Sequence, residues 1–187
     1  STSFPDSSKN AYSVTANSSA QISTAQSRFG GASLYCGASS PTGYLSAGSA
    51  PDISSGDYTV EGWFYFTTNS IGYQPLIARF ENVSDARASF SLYTETSNVL
   101  TFVCTTTAGS WTTSVPSSTV PSINAWHHIA VTRSGTTITL WLNGTVVGTK
   151  SFTFTGKVAK VTLSAPSNGV IGSTSARTGR LGATSRS

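Results

Sequence analysis

The run from Trp126 to Gly144 constrains this chain more than any other segment. Ile129 and Val131 alternate with His128, Ala130 and Thr132. After the polar link Ser134-Gly135-Thr136-Thr137, Ile138, Leu140 and Leu142 alternate with Thr139 and Trp141. Successive side chains of a strand point to opposite faces, so this alternation on both sides of a short link predicts a β-hairpin. Asn143-Gly144 predicts a second tight turn, because both residues tolerate the positive φ of a type I′ turn.

The same period of two runs through residues 58–66. Val60, Gly62, Phe64 and Phe66 share one face, and Thr59, Glu61, Trp63 and Tyr65 the other. Aromatics on both faces predict a central strand covered on both sides. A turn followed by a strand is expected over 29–36, and another strand opens at Tyr44. Further strands are expected over 75–80, 88–93, 99–104, 145–149, 151–155 and 158–163. Turn signals recur about every 8–12 residues, which is the pattern of an all-β sandwich. Beyond a short turn at Ile123-Asn124-Ala125 no helix is expected.

Residues 1–163 therefore read as one sandwich, which a chain of 187 residues is long enough to fill. Residues 164–187 read as an extended basic tail, since from 173 onward the composition is Ser, Thr, Ala, Gly and Arg with one Leu. Such a segment buries no face of its own.

Charged residues make up only 10% of the chain, against 37% hydrophobic, so neither helical texture nor high-charge disorder fits. The net charge is +4. All seven acids lie at or before Glu95, and six of the eleven basic residues lie at or after Lys150. These basic residues are spread among Ser, Thr and Gly rather than interleaved with aromatics, so a solvated basic end is expected over a nucleic-acid surface, with an acidic partner chain or an anionic glycan as the alternative. No apolar run approaches the roughly 20 residues of a membrane span, and no membrane partner is expected. Cys36 and Cys104 are the only cysteines. One disulfide and two buried thiols are both compatible with the sequence.

Several segments, in order, resemble the concanavalin A-like lectin/glucanase superfamily, in its laminin G-like and pentraxin-like branch. They are Phe4-Pro5-Asp6-Ser7-Ser8, Phe29-Gly30-Gly31-Ala32-Ser33-Leu34, Tyr58-Thr59-Val60-Glu61-Gly62-Trp63-Phe64, Trp126-His127-His128-Ile129-Ala130-Val131-Thr132-Arg133, Leu140-Trp141-Leu142-Asn143-Gly144 and Ile171-Gly172. The resemblance implies a jelly roll of two curved antiparallel sheets, with a concave face and end loops that bind glycans or protein partners. The Ser/Thr/Gly/Ala-rich texture resembles domains of bacteriophage and environmental viral structural proteins. Two departures stand out. The family's apolar strand before the equivalent of Phe4 is missing, and so is its closing Gly-rich strand with an Ile-Asp pair and a following Arg. Their absence implies either a shortened gene product or an open sheet edge that a neighbouring subunit completes; assembly through this edge is the expectation.

The chemistry points away from catalysis. Glucanases of this superfamily carry Glu-x-Asp-x-Glu on one strand face, and this chain has no such spacing. Glu61 stands alone in its strand and is expected to pair structurally. His127 and His128 are the only histidines; as strand neighbours they face opposite ways and cannot share a metal. No Gly-x-Ser-x-Gly elbow occurs, and Gly156-Lys157 lacks the rest of a phosphate loop. No cofactor is expected. Calcium at a loop rim, which the family resemblance implies as a minority option, would fall to Asp52, Asp57 and Asp85, which form no dense cluster.

Sugar recognition needs an exposed aromatic to stack on a ring, with amide or carboxylate hydrogen bonds beside it. Trp111 and Tyr73 are the best loop aromatics, with Asn69 near Tyr73. Trp63, Trp126 and Trp141 lie on expected strands and read as core. The expectation is a non-enzymatic virion surface protein: a capsid decoration, or a tail or fibre component outside the cell. Its edge and its basic end, including Arg177, Arg180 and Arg186, would bind neighbouring virion subunits or copies of itself. The alternative is a lectin module that binds host or cell-surface glycans through Tyr73, Trp111 and Asn69.

Overall fold

The computed structural model describes residues 2–7, 10–37, 43–47, 56–69, 72–79, 90–104, 113–151, 162–164 and 169–172. Its strands are β1 (Val14–Asn17), β2 (Gln21–Ser23), β3 (Ser33–Tyr35), β4 (Tyr44–Ala47), β5 (Tyr58–Phe66), β6 (Gln74–Arg79) and β7 (Phe90–Thr94). A 3-10 turn at Thr96–Asn98 leads to β8 (Leu100–Cys104), β9 (Thr113–Pro116), β10 (Trp126–Ser134), β11 (Thr137–Leu142), β12 (Thr145–Ser151), β13 (Thr162–Ser164) and β14 (Gly169–Gly172). The first sheet has the order β1-β4-β13-β6-β7-β8-β9, and the second β12-β11-β10-β5-β14-β3-β2. Every pairing is antiparallel.

The expected hairpin forms over its full length. Ile129 pairs with Leu142, Val131 with Leu140 and Ser134 with Thr137, which leaves Gly135-Thr136 as a two-residue loop. Asn143 and Gly144 take φ of 51° and 80°, the two positive values a type I′ turn requires, and Leu142 pairs with Thr145 across them. A bulge between Leu140 and Trp141 then shifts the register of β12.

Each strand of the centre contributes alternate residues to one core. Val60, Phe64 and Phe66 of β5 meet Ile129 and Val131 of β10 and Ile138, Leu140 and Leu142 of β11. From the first sheet come Leu92 of β7, Leu100 and Phe102 of β8 and Val115 of β9. Fully burying a side chain of this size contributes about 1.5–3 kcal/mol, so this inter-sheet layer dominates the stability. A smaller cluster of Ala20, Leu34, Cys36 and Leu45 is covered by Phe4, Val14 and Ala16 at the β1–β4 end.

Cys36 and Cys104 are two buried thiols in these separate clusters, with no disulfide between them. Burial pushes the Cys104 thiol up to about 12, against smaller opposing effects of Arg133 and Lys150.

Three expectations need correction. First, Gly169–Gly172 is not tail: it lies between β3 and β5, with Ile171 opposite both Leu34 and Phe64. The sandwich therefore extends through Gly172, past the expected limit at 163. Val170 and Ile171 thus pair on both sides, in a segment where no strand was expected. Four residues with glycine at each end carry little strand signal of their own, and pairing on both sides supplies what propensity lacks.

Second, β5 is central, but its second face is only partly covered among the described residues: Trp63 and Tyr65 are half-buried and Glu61 is exposed. Third, Trp63, Trp126 and Trp141 are not core. They are half-buried on the outer face of the second sheet, opposite the face that carries Phe64, Ile129 and Leu140. The expected strand at 151–155, most of 158–163 and the tail arginines Arg177, Arg180 and Arg186 lie outside the described residues.

Candidate functional site

Two aromatic surfaces flank the sandwich, and their local chemistry separates them. On the second sheet, cross-strand pairing places Trp126 opposite Tyr65 and His128 opposite Trp63. The rings satisfy one another. Trp63 meets Phe29 edge-on at 5.8 Å and His128 at 5.3 Å, and the Arg28 guanidinium lies 4.3 Å from its centroid. His128 Nε2 reaches Glu61 Oε2 at 3.3 Å, which is the structural pairing expected of Glu61. Trp141 Nε1 donates to Thr132 Oγ1 at 2.9 Å. This face is a self-packed scaffold.

The two histidines do face opposite ways. His127 is buried beside Phe66. The Asn143 amide nitrogen can only donate, so His127 Nδ1 accepts from it at 3.1 Å. The ring proton then sits on Nε2 and is donated to the Ser122 carbonyl at 2.9 Å. Asn143 Oδ1 accepts from the His128 amide at 2.9 Å, so the turn residue locks both histidines into place.

The outer face of the first sheet is different. Tyr73 is 50% exposed, the most exposed large apolar side chain among the described residues. Its ring lies 4.5 Å from that of Tyr93 at an interplanar angle of 44°. Its hydroxyl bonds Ser91 Oγ at 2.8 Å, which fixes the ring over β7. Ser91, Tyr93 and Glu95 alternate with the core-facing Leu92 and Thr94, so all three share this face. Tyr93 stands directly opposite Thr101 of β8.

Glu95 opens the tight connection between β7 and β8. Its amide donates to the Val99 carbonyl at 2.8 Å, and its carbonyl accepts from Asn98 at 3.1 Å. Ser97 and Asn98 take φ of 60° and 61°, the left-handed conformation that Asn tolerates best after Gly. This turn aims the Glu95 carboxylate back over the sheet. Glu95 Oε1 accepts from the Tyr93 hydroxyl and from Thr101 Oγ1, each at 3.1 Å. Its Oε2 has no partner among the described residues. Burial pushes the Tyr93 phenol up to about 12; the Glu95 carboxylate adds to the shift through both its hydrogen bond and its charge. Asn98 Nδ2 donates to Asn69 Oδ1 at 3.4 Å, which ties the segment before β6 to the same turn.

Of the residues the sequence singled out, Tyr73 and Asn69 come to the same end of the first sheet, and Trp111 lies outside the described residues. Tyr93, Glu95, Asn98 and Thr101 were missed. The period-two spacing of Tyr93 and Glu95 was the available signal, but their neighbour Thr101 depends on strand register. Asp57, one of the loop acids considered for calcium, accepts the Gly135 amide at 2.7 Å through Oδ1. Among the described residues no group of three or more His, Cys, Asp or Glu converges on one point, while Asp52 and Asp85 lie outside them.

The fold is shared with several solved structures. Domain 4 of AbnA, an extracellular arabinanase from Geobacillus stearothermophilus in complex with arabinotriose, superposes with a TM-score of 0.58 at 18% identity, covering 85% of this chain and 79% of that one. The carbohydrate recognition domain of Emp47p gives 0.51 at 10% identity, covering 84% of each chain. A structure of botulinum neurotoxin type C, whose cell entry depends on interaction with two ganglioside molecules, gives 0.62 at 13% identity and 89% of this chain. This chain spans only 44% of that neurotoxin chain. No curated protein matches the sequence. A family model described as the concanavalin A-like lectin/glucanases superfamily matches residues 38–182. With both sheets, their register and this match in agreement, the chain belongs to the concanavalin A-like lectin/glucanases superfamily.

Proposed function

We propose that this protein is a non-catalytic glycan-binding module, and that the outer face of the first sheet at Tyr73 and Tyr93 is its binding surface. The observation that carries the reading is the half-exposed Tyr73 ring, tilted against Tyr93 beside a carboxylate whose second oxygen has no partner among the described residues. An aromatic face accepts the apolar C–H surface of a sugar ring, and Glu95 Oε2 accepts its hydroxyl protons. The arabinotriose-bound domain and the Emp47p recognition domain support this reading at the level of fold. Glu61 and Glu95 belong to different sheets, so they do not form the carboxylate pair of a glycoside hydrolase. A glycan array followed by calorimetry on the strongest binder tests the proposal. Tyr73→Ala should weaken binding at least ten-fold, about 1.4 kcal/mol. Unchanged binding by that variant would remove the site.

The virion-surface setting stands as a second reading, supported by the Ser/Thr/Gly/Ala-rich texture of the chain. It is compatible with glycan binding, since a lectin face can serve host attachment. Stoichiometric copy number in purified particles would support it, and consistent absence from particles would end it.

A further inference from the structure

We infer that Glu95 sets the charge class of the ligand: the site takes uncharged, hydroxyl-rich glycans and rejects those bearing carboxylate or sulfate. The inference rests on the glycan-binding reading of the Tyr73–Tyr93 surface and goes one step further, to the substrate class.

The geometry carries it. The Glu95 side chain is exposed and held in one orientation by two hydrogen bonds to the same oxygen, Oε1. Tyr93 and Thr101 both donate their protons to that oxygen and, being neutral groups, leave the net charge of the carboxylate in place. Oε2, which has no hydrogen-bond partner among the described residues, is left as an acceptor on a carboxylate anchored to Tyr93. Sugar hydroxyls are donors and suit it. A uronate or sialate carboxylate, or a sulfate ester, has only acceptors to offer and carries like charge, so it meets repulsion without a compensating bond. The exposed Asn69, joined through its side-chain amide to the buried Asn98, adds a neutral polar group. A fixed like charge is an effective way to exclude a competitor that shares the rest of the ligand's shape.

The test uses the full chain and matched oligosaccharide pairs: galactotriose against trigalacturonate, lactose against sialyllactose, and xylotriose against its glucuronate-branched form. The readout is the ratio of affinities within each bound pair at low salt. Wild type should prefer the neutral member at least ten-fold, and the preference should shrink as salt rises, because screening weakens the repulsion. Glu95→Gln keeps an acceptor and removes the charge; its ratio should fall to within about three-fold of one. The salt series on wild type reads the same effect without any variant.

Two outcomes overturn the inference alone: Tyr73-dependent binding of acidic members as tight as neutral ones, or a preference that ignores both salt and Glu95→Gln. If no pair binds wild type in either form, the glycan-binding reading falls with it.

Discussion

The Tyr93 hydroxyl donates to Glu95 Oε1 at 3.1 Å, two residues along one strand face. Period two puts both side chains above the sheet, and the left-handed turn at Ser97 and Asn98 holds the carboxylate there. The bond joins the aromatic and the charged halves of the proposed site.

The Tyr93 phenol should therefore ionise near pH 12 in the folded protein, about two units above its ordinary value. A wild-type minus Tyr93→Phe absorbance titration isolates it from the other tyrosines. Glu95→Gln removes the carboxylate's contribution and should lower the value in part, while the larger effect of burial remains. The folded state holds this proton after the unfolded chain has lost it. The stability it contributes is thus complete below pH 10 and is lost as pH rises through 12.

Tyr73→Ala should separate binding from folding. The side chain is half exposed and outside the core, so unfolding free energy should change by no more than about 1 kcal/mol. Glycan affinity should drop at least ten-fold in the same preparation. A variant that unfolds in urea well before wild type would show the ring to be structural instead.

Gly148 is a position where nothing larger fits. A Cβ there would lie 2.6 Å from the Pro116 carbonyl oxygen and 3.1 Å from Val115 Cγ1, between β12 and β9. Gly148→Ala should force the two strands apart at a cost of about 1–3 kcal/mol, measured by urea unfolding.

Asn143 supplies a positive φ and two side-chain hydrogen bonds, to His127 Nδ1 and the His128 amide. Asn143→Ala should lose about 2–3 kcal/mol, since strain and lost bonds add. Asn143→Gly keeps the backbone freedom and should lose less. Equal losses in the two variants would mean that φ contributes nothing.

Both thiols should be unreactive in the native state and countable after unfolding. A thiol reagent at neutral pH should leave Cys36 and Cys104 untouched, then titrate two equivalents in denaturant. No titratable thiol in denaturant, without reductant, would contradict the separate-cluster arrangement.

Local chemistry made much of the scaffold legible. The hairpin at β10–β11 and the turn at Asn143-Gly144 are written in adjacent residues, and both form as the alternation requires. The face assignment of β5 was equally legible, since Trp63 and Tyr65 oppose Phe64 and Phe66; treating the strand tryptophans as core overlooked it. β14 was hidden because its four residues owe their conformation to β3 and β5 on either side. The proposed site was half visible. Tyr73 and Asn69 stood out as loop residues, whereas Glu95 and Thr101 become neighbours only through the tight β7–β8 turn.

The central claim places glycan binding on the first sheet, and site-resolved tyrosine NMR tests it directly. Protein labelled at the tyrosine ring carbons is titrated with the strongest binder from the array. Tyr73 and Tyr93 signals should shift with ligand, and those of Tyr35 and Tyr65 on the second sheet should stay in place. Shifts confined to the second-sheet tyrosines, with Tyr73 and Tyr93 unmoved at saturation, would contradict it.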